Sequence, residues 1–81
     1  MQKSREDILK PGSLWQHFKG NKYRIVCVAK HSESLVEMVV YEALYENPEG
    51  KYWVRPKVMF LEKMTREGKT FFRYEPIKEE K

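Results

Sequence analysis

Tyr23-Arg24-Ile25-Val26-Cys27-Val28-Ala29-Lys30 carries the densest apolar run in the chain and no glycine or proline. Read with a period of two, it puts Tyr23, Ile25, Cys27 and Ala29 on one face and Arg24, Val26, Val28 and Lys30 on the other. Both faces are apolar at the centre, the pattern of an interior strand covered on two sides. The same period extends outward. Leu14 to Phe18 forms a short strand with Trp15 and His17 on one face, and Gly20-Asn21 turns it toward Tyr23. After a polar turn from His31 to Leu35, Glu37 to Tyr45 sets Val39, Tyr41, Ala43 and Tyr45 against Met38, Val40, Glu42 and Leu44. Glu46-Asn47-Pro48-Glu49-Gly50 is the strongest turn signal, and Lys51 to Arg55 resumes a strand that Pro56 stops.

Lys57 to Leu61 is too short for a full helix and reads as one helical or 3₁₀ turn sending Val58, Met59 or Phe60 inward. Glu62 to Thr65 and Thr70 to Tyr74 flank Arg66-Glu67-Gly68-Lys69, a β-hairpin pattern. The fold expected is mainly β: a small antiparallel SH3-like barrel or roll of five to six short strands with one short helical turn, because a sheet this small hides its edges by curling. The core expected comprises Leu14, Trp15, Ile25, Val26, Cys27, Val28, Val39, Val40, Leu44, Val54, Met59, Phe60 and Phe72. Residues 12–77 make the single domain. Residues 1–11 are a lead-in docked through Ile8 and Leu9, with Ser4 and Asp7 spaced to cap one helical turn, and 78–81 are a disordered tail.

Composition excludes several classes. Eighty-one residues make one domain at most, and the hydrophobic share of 41% is that of a globular chain. The longest apolar runs fall far short of the roughly 20 residues that span a bilayer, so no membrane role is expected. Cys27, alone, forms no internal disulfide, and no apolar leader follows Met1; both point to the cytoplasm. The net charge of +4 is laid out in blocks. Residues 1–30 hold seven Lys/Arg against two carboxylates, 31–50 hold five glutamates and no Lys/Arg, and 51–81 hold nine basic against five acidic groups.

Trp15-Gln16-His17-Phe18-Lys19-Gly20, then Val28-Ala29-Lys30-His31-Ser32-Glu33, then Val39-Val40-Tyr41 with Ala43-Leu44-Tyr45, and finally Trp53-Val54-Arg55-Pro56 with Met59-Phe60-Leu61-Glu62, follow one another from Pro11 to Ile77. In that order they resemble a family of small bacterial proteins known as a domain of unknown function. The resemblance implies a compact cytosolic domain, sometimes appended to others. It carries no established activity and therefore no catalytic residues.

The polar and aromatic residues inside those motifs are the candidate binding residues: His17, Lys19, His31, Glu33, Tyr41, Trp53 and Arg55. A metal site is not expected, because His17, His31 and Glu33 would need two loops to meet and there is neither Cys-x-x-Cys nor His-x-x-x-His. No cofactor is expected either. His31-Ser32-Glu33 has the letters of a hydrolytic triad, but three adjacent residues cannot aim at one another; the segment reads as a turn. Arg55 has two readings: an ion pair with Glu33, Glu42 or Glu62, or a planar clamp for a carboxylate or phosphate. Eleven aromatic rings exceed what so small a core holds, and one of each adjacent pair, Tyr52-Trp53 and Phe71-Phe72, must face outward.

Two classes of function stay open. The first is a non-catalytic binding module for a protein partner or a second copy of the chain, through an exposed aromatic face; a variant binds nucleic acid or a nucleotide on an aromatic-plus-basic face. The second is a small enzyme using His17, His31, Glu33 and Arg55. They separate on whether those four side chains share a cleft with Tyr41 and Trp53.

Overall fold

The pleat alternates side chains about a curling ribbon, and the fold follows from which alternate set is large enough to fill its inside. The structure, a computed structural model, describes residues 5–77. The tail at 78–81, the first four residues of the lead-in and the Ser4 cap lie outside the described residues. Seven strands and one helical turn follow in order: β1 (Leu14–His17), β2 (Lys22–Lys30), β3 (Glu37–Ala43), β4 (Tyr52–Pro56), α1 (Lys57–Phe60), β5 (Lys63–Arg66), β6 (Lys69–Phe72) and β7 (Tyr74–Pro76). Five make one antiparallel sheet in the order β4-β3-β2-β1-β7, and β5-β6 is a separate hairpin.

The expected mainly β architecture with one helical turn is the observed one, with seven strands rather than five or six. The addition is β7. Tyr74 pairs with His17 and Pro76 with Trp15 across the free edge of β1, where the alternating pattern ends at Pro76-Ile77. The sheet curls until its two edge strands approach: the Arg55 guanidinium of β4 lies 5.9 Å from the Tyr74 ring of β7. Among the described residues no backbone ladder joins those edges, so the barrel is open along a seam.

The alternation of β2 holds only halfway. Ile25 pairs with Tyr41 and Cys27 with Val40, so Val26 is the extra residue of a β-bulge. The bulge resets the phase. Tyr23 and Ile25 point inward before it, and Val28, opposite buried Val39, packs on the core after it.

The core consists of Leu9, Trp15, Tyr23, Ile25, Val39, Tyr41, Ala43, Phe60 and Tyr74. Phe60 is its hub. Its ring stacks on Tyr74 at 4.1 Å and meets Trp15 and Tyr41 edge-on, each at 5.4 Å. Such pairs add about 0.5–1.5 kcal/mol beyond area burial. Trp15 Nε1 donates to Ser13 Oγ at 3.1 Å, satisfying its one polar atom.

Four expected core residues are exposed instead: Val26, Leu44, Val54 and Met59. Val26 is the bulge. Leu44 follows inward Ala43, and Val54 (58% exposed) sits between inward Trp53 and Arg55. In α1 only Phe60 turns inward, leaving Val58 76% exposed. Tyrosines take the vacated places, their hydroxyls reaching polar partners at the rim while the rings fill volume.

Residues of the lead-in complete the barrel. Leu9 is buried and Ile8 packs beside it. The Arg5 guanidinium lies 3.7 Å over the Phe72 ring and donates to the Leu61 and Tyr74 carbonyls. Lys57 Nζ bridges Glu6 and Glu37 at 2.8 and 3.0 Å.

Candidate functional site: a basic cleft on the barrel seam

The inward positions nearest the seam line a cleft of about 230 Å³. His17 enters from β1 and Lys19 and Asn21 from the β1–β2 loop. Tyr23 comes from β2, Tyr41 from β3, Asn47 from the β3–β4 turn, Trp53 and Arg55 from β4, and Tyr74 from β7. The register explains the convergence. Tyr41 pairs with Trp53, Val39 with Arg55 and His17 with Tyr74. Trp53 and Arg55 therefore share the inner face with Tyr41 and look across the seam at His17 and Tyr74.

Five of the seven candidate residues, His17, Lys19, Tyr41, Trp53 and Arg55, share this cleft. His31 and Glu33 do not. They sit in the turn beyond the far end of β2, a nine-residue strand that at about 3.3 Å per residue separates them from His17 by on the order of 25 Å. There His31 Nδ1 accepts the Glu33 and Ser34 backbone N–H groups at 3.2 and 3.3 Å, and Ser32 Oγ donates to Glu33 Oε2 at 2.5 Å. The segment is a self-capped turn.

Arg55 is the central group. The three glutamates weighed as its partners are engaged elsewhere. Glu62 accepts from Arg73 Nε and Nη2 at 3.0 and 2.8 Å, Glu42 lies between Arg24 and Lys51, and Glu33 is in the distant turn. Among the described residues no carboxylate pairs with Arg55, and its Nε–H is buried without an acceptor. Burial works against its charge, but the hydroxyls of Tyr41 and Tyr74 facing the guanidinium more than offset this, and the net shift of its pKa is upward.

Hydroxyls and amides form the rest of the wall. Tyr41 and Tyr74 hydroxyls lie 3.4 Å apart and those of Tyr23 and Tyr45 2.9 Å apart. Asn47 Oδ1 accepts the Glu49 N–H at 2.9 Å, and its Nδ2 donates to the Tyr45 hydroxyl at 3.1 Å. Trp53 Nε1 donates to the Gly50 carbonyl at 3.1 Å. Burial first, then hydrogen bonding between the phenols, lifts the pKa of Tyr23 and Tyr74 above the usual phenol range, so both remain donors at neutral pH.

His17 is held by its own loop. Its Nδ1 accepts the Lys19 N–H at 3.1 Å, which places the neutral ring's proton on Nε2. Its pKa is lowered, chiefly by burial and then by Arg73, Lys19 and Arg55. The cleft thus holds two permanent cations and a histidine, and among the described residues no carboxylate lines it.

The ring of His17 is also a wall of a second depression, of about 520 Å³, lined by Phe18, Phe71 and Phe72 with Gln16 and Glu75. Among the described residues no group of three His, Cys, Asp or Glu is placed to hold a metal ion, and no helix is long and apolar enough to cross a membrane.

Sequence reasoning missed Tyr23, Tyr74, Asn21 and Asn47 in the cleft. A signal existed for Tyr23, which shares a face with Ile25. Tyr74 was legible only through the β1–β7 pairing. In Asn47 the turn signal concealed a second role for the amide nitrogen.

These features define a small open β-barrel with a basic, tyrosine-lined cleft along its seam. A family model described as a protein of unknown function, DUF1653, matches residues 13–76, and the chain belongs to that family. A crystal structure of a DUF1653 protein from Bordetella bronchiseptica is similar in fold, with a TM-score of 0.73, 24% identity and 88% of each chain covered. None of the curated proteins matches the chain.

Proposed function

We propose that this protein is a non-catalytic binding module whose seam cleft receives an anionic group, a carboxylate or phosphate, borne by its ligand. The observation that carries the reading is Arg55: a half-buried guanidinium with no carboxylate partner among the described residues and an unsatisfied Nε–H, in a cleft that adds His17 and Lys19. A buried donor left unmade costs about 1–3 kcal/mol, and an oxyanion fits the guanidinium's planar fork. At 230 Å³ the cleft is smaller than the roughly 300–1,000 Å³ of whole-ligand sites, which suits one group of a larger partner. The enzyme reading loses support, since His31 and Glu33 lie a strand's length from His17 and line no part of the cleft that holds Arg55.

Titration of the ¹⁵N-labelled protein with inorganic phosphate and with acetate tests the reading. Saturable shifts at the Arg55 Nε–H, the Lys19 amide and the His17 ring, abolished by Arg55→Gln, are expected. Shifts that never saturate, or that spread over exposed lysines, refute it.

A protein-contact reading rests on another face. Tyr52 (63% exposed) and Val54 on the outside of β4 adjoin exposed Val58 and Met59 of α1. Self-association there predicts a dimer in sedimentation experiments that Val54→Lys dissociates; a monomer at high concentration counts against it.

A further inference from the structure

The basic cleft and the aromatic depression share one side chain, and the two sides differ in charge. The His17 ring lies 4.4 Å from the Phe18 ring on the aromatic side and 4.9 Å from the Tyr74 ring on the cleft side. Phe18 and Phe71 stand 5.2 Å apart at an interplanar angle of 49°, half-buried, and both line the depression. Cations lie over rings of this wall: Arg66 and Lys19 at 5.2 and 5.9 Å from the Phe18 centroid, and Lys63 at 5.6 Å from that of Phe72. Glu75 lines the aromatic side, whereas among the described residues no carboxylate lines the cleft.

We propose that the ligand is single-stranded nucleic acid, with one base seated against Phe18 and Phe71 and its neighbouring phosphate in the Arg55 cleft across His17. This rests on the anion-accepting reading of the cleft and adds the ligand class. Charge sorts the parts. Glu75 repels a phosphate from the aromatic side but accepts hydrogen bonds from the ring or amino N–H of a base. The cleft offers Arg55, Lys19 and the tyrosine hydroxyls to the phosphate. The cations Arg66 and Lys63 are placed for flanking phosphates. Alternating ring and cation surfaces of this kind bind single strands with little sequence preference, since every base has a stacking face. An acidic peptide would use the cleft and leave the ring pair idle.

The test is fluorescence anisotropy of fluorescein-labelled dT₁₀ and rU₁₀ against the full chain from 50 to 300 mM salt, beside the phosphate titration above. The expected result is saturable binding whose log affinity falls with log salt at a slope of roughly −0.7 per phosphate contacted. Arg55→Gln and the exposed-site variant Arg66→Gln should each flatten the slope by about 0.7. Phe71→Leu, which keeps most of the volume and removes the ring, should weaken binding at least fivefold at unchanged slope, with its fold checked by thermal melting. Phe18→Leu serves if Phe71→Leu does not fold. Three results overturn the inference: no binding of either oligonucleotide at 50 mM salt while phosphate still shifts Arg55, binding indifferent to the folded ring variant, or tighter binding of decaglutamate than of either strand. In the first and third the anion-accepting cleft stands; absence of phosphate and oligonucleotide binding together removes both readings.

Discussion

Replacing Arg55 by methionine separates a guanidinium kept for a ligand from one that holds the barrel together. Methionine preserves the stem along the inner face of β4 and removes the charge. The substitution gives up the polar interaction of the guanidinium with the Tyr41 and Tyr74 hydroxyls, together worth about 1.5–3 kcal/mol, the range of one hydrogen bond to a charged group. It also releases a buried Nε–H that has no acceptor, a penalty of about 1–3 kcal/mol. The two hydroxyls retain each other. The opposing contributions nearly cancel, and Arg55→Met is expected within about 1 kcal/mol of the parent, whereas breaking a true buried ion pair costs about 3–5 kcal/mol. Urea unfolding followed by tryptophan fluorescence resolves the difference: with m of about 1 kcal/mol/M for a small domain, the expected shift of the midpoint is below about 1 M. A loss of about 3 M or more would show that Arg55 is structural and remove the argument for an open acceptor site. Arg55→Met should at the same time abolish the phosphate response.

Other expectations test separate links. Phe60→Ala should remove about 3–5 kcal/mol, enough to unfold most of a chain this small, and loss of near-ultraviolet dichroism at 25 °C would report it. Glu67 and Gly68 both have positive φ (50° and 79°) in the two-residue β5–β6 turn, the type I′ geometry that favours Asn-Gly; Glu67→Asn should raise stability by a few tenths to about 1 kcal/mol, and a lower melting temperature would contradict the turn assignment. Because the folded pKa of His17 is lowered from 6.5, the unfolded chain binds more protons below that pH. Stability should therefore fall as pH drops from about 6.5 through the folded value, and His17→Gln should flatten that part of the profile. Anion binding in the cleft favours the imidazolium, so phosphate should move the His17 ring titration upward.

The period-two pattern marks six of the seven strands, because in a chain without long helices alternation is the way to bury enough surface. It also shows that Trp53 and Tyr52 face opposite ways and that a helical turn sends Val58, Met59 or Phe60 inward, of which Phe60 is the one buried. Two features were hidden for physical reasons. The Val26 bulge depends on how β2 meets β3, and nothing in Ile25-Val26-Cys27-Val28 favours one residue over the next as the extra one. β7 is three residues ending in proline, stabilised by the free edge of β1 rather than by its own composition. Choosing aliphatic residues over tyrosines for the core was the larger error: Val54 and Leu44 are exposed while Tyr41 and Tyr74 are buried, because a ring with a hydroxyl can fill the inside and still reach the rim. The candidate cleft was legible as residue types but not as a place; His31 and Glu33 share its motifs and fold to the other end of β2.

The unzipped junction between β4 and β7 has a mechanical consequence. Among the described residues strand β7 has a backbone ladder on one side, to β1, and the last turn of the circle is closed by side chains instead of amides. A guest gripping Arg55 and Tyr74 together would act as the missing rung, tying the free margin down. Deuterium uptake at Tyr74–Pro76 should then slow when the cleft fills, while the interior of β2 and β3, already laddered on both sides, stays as it was.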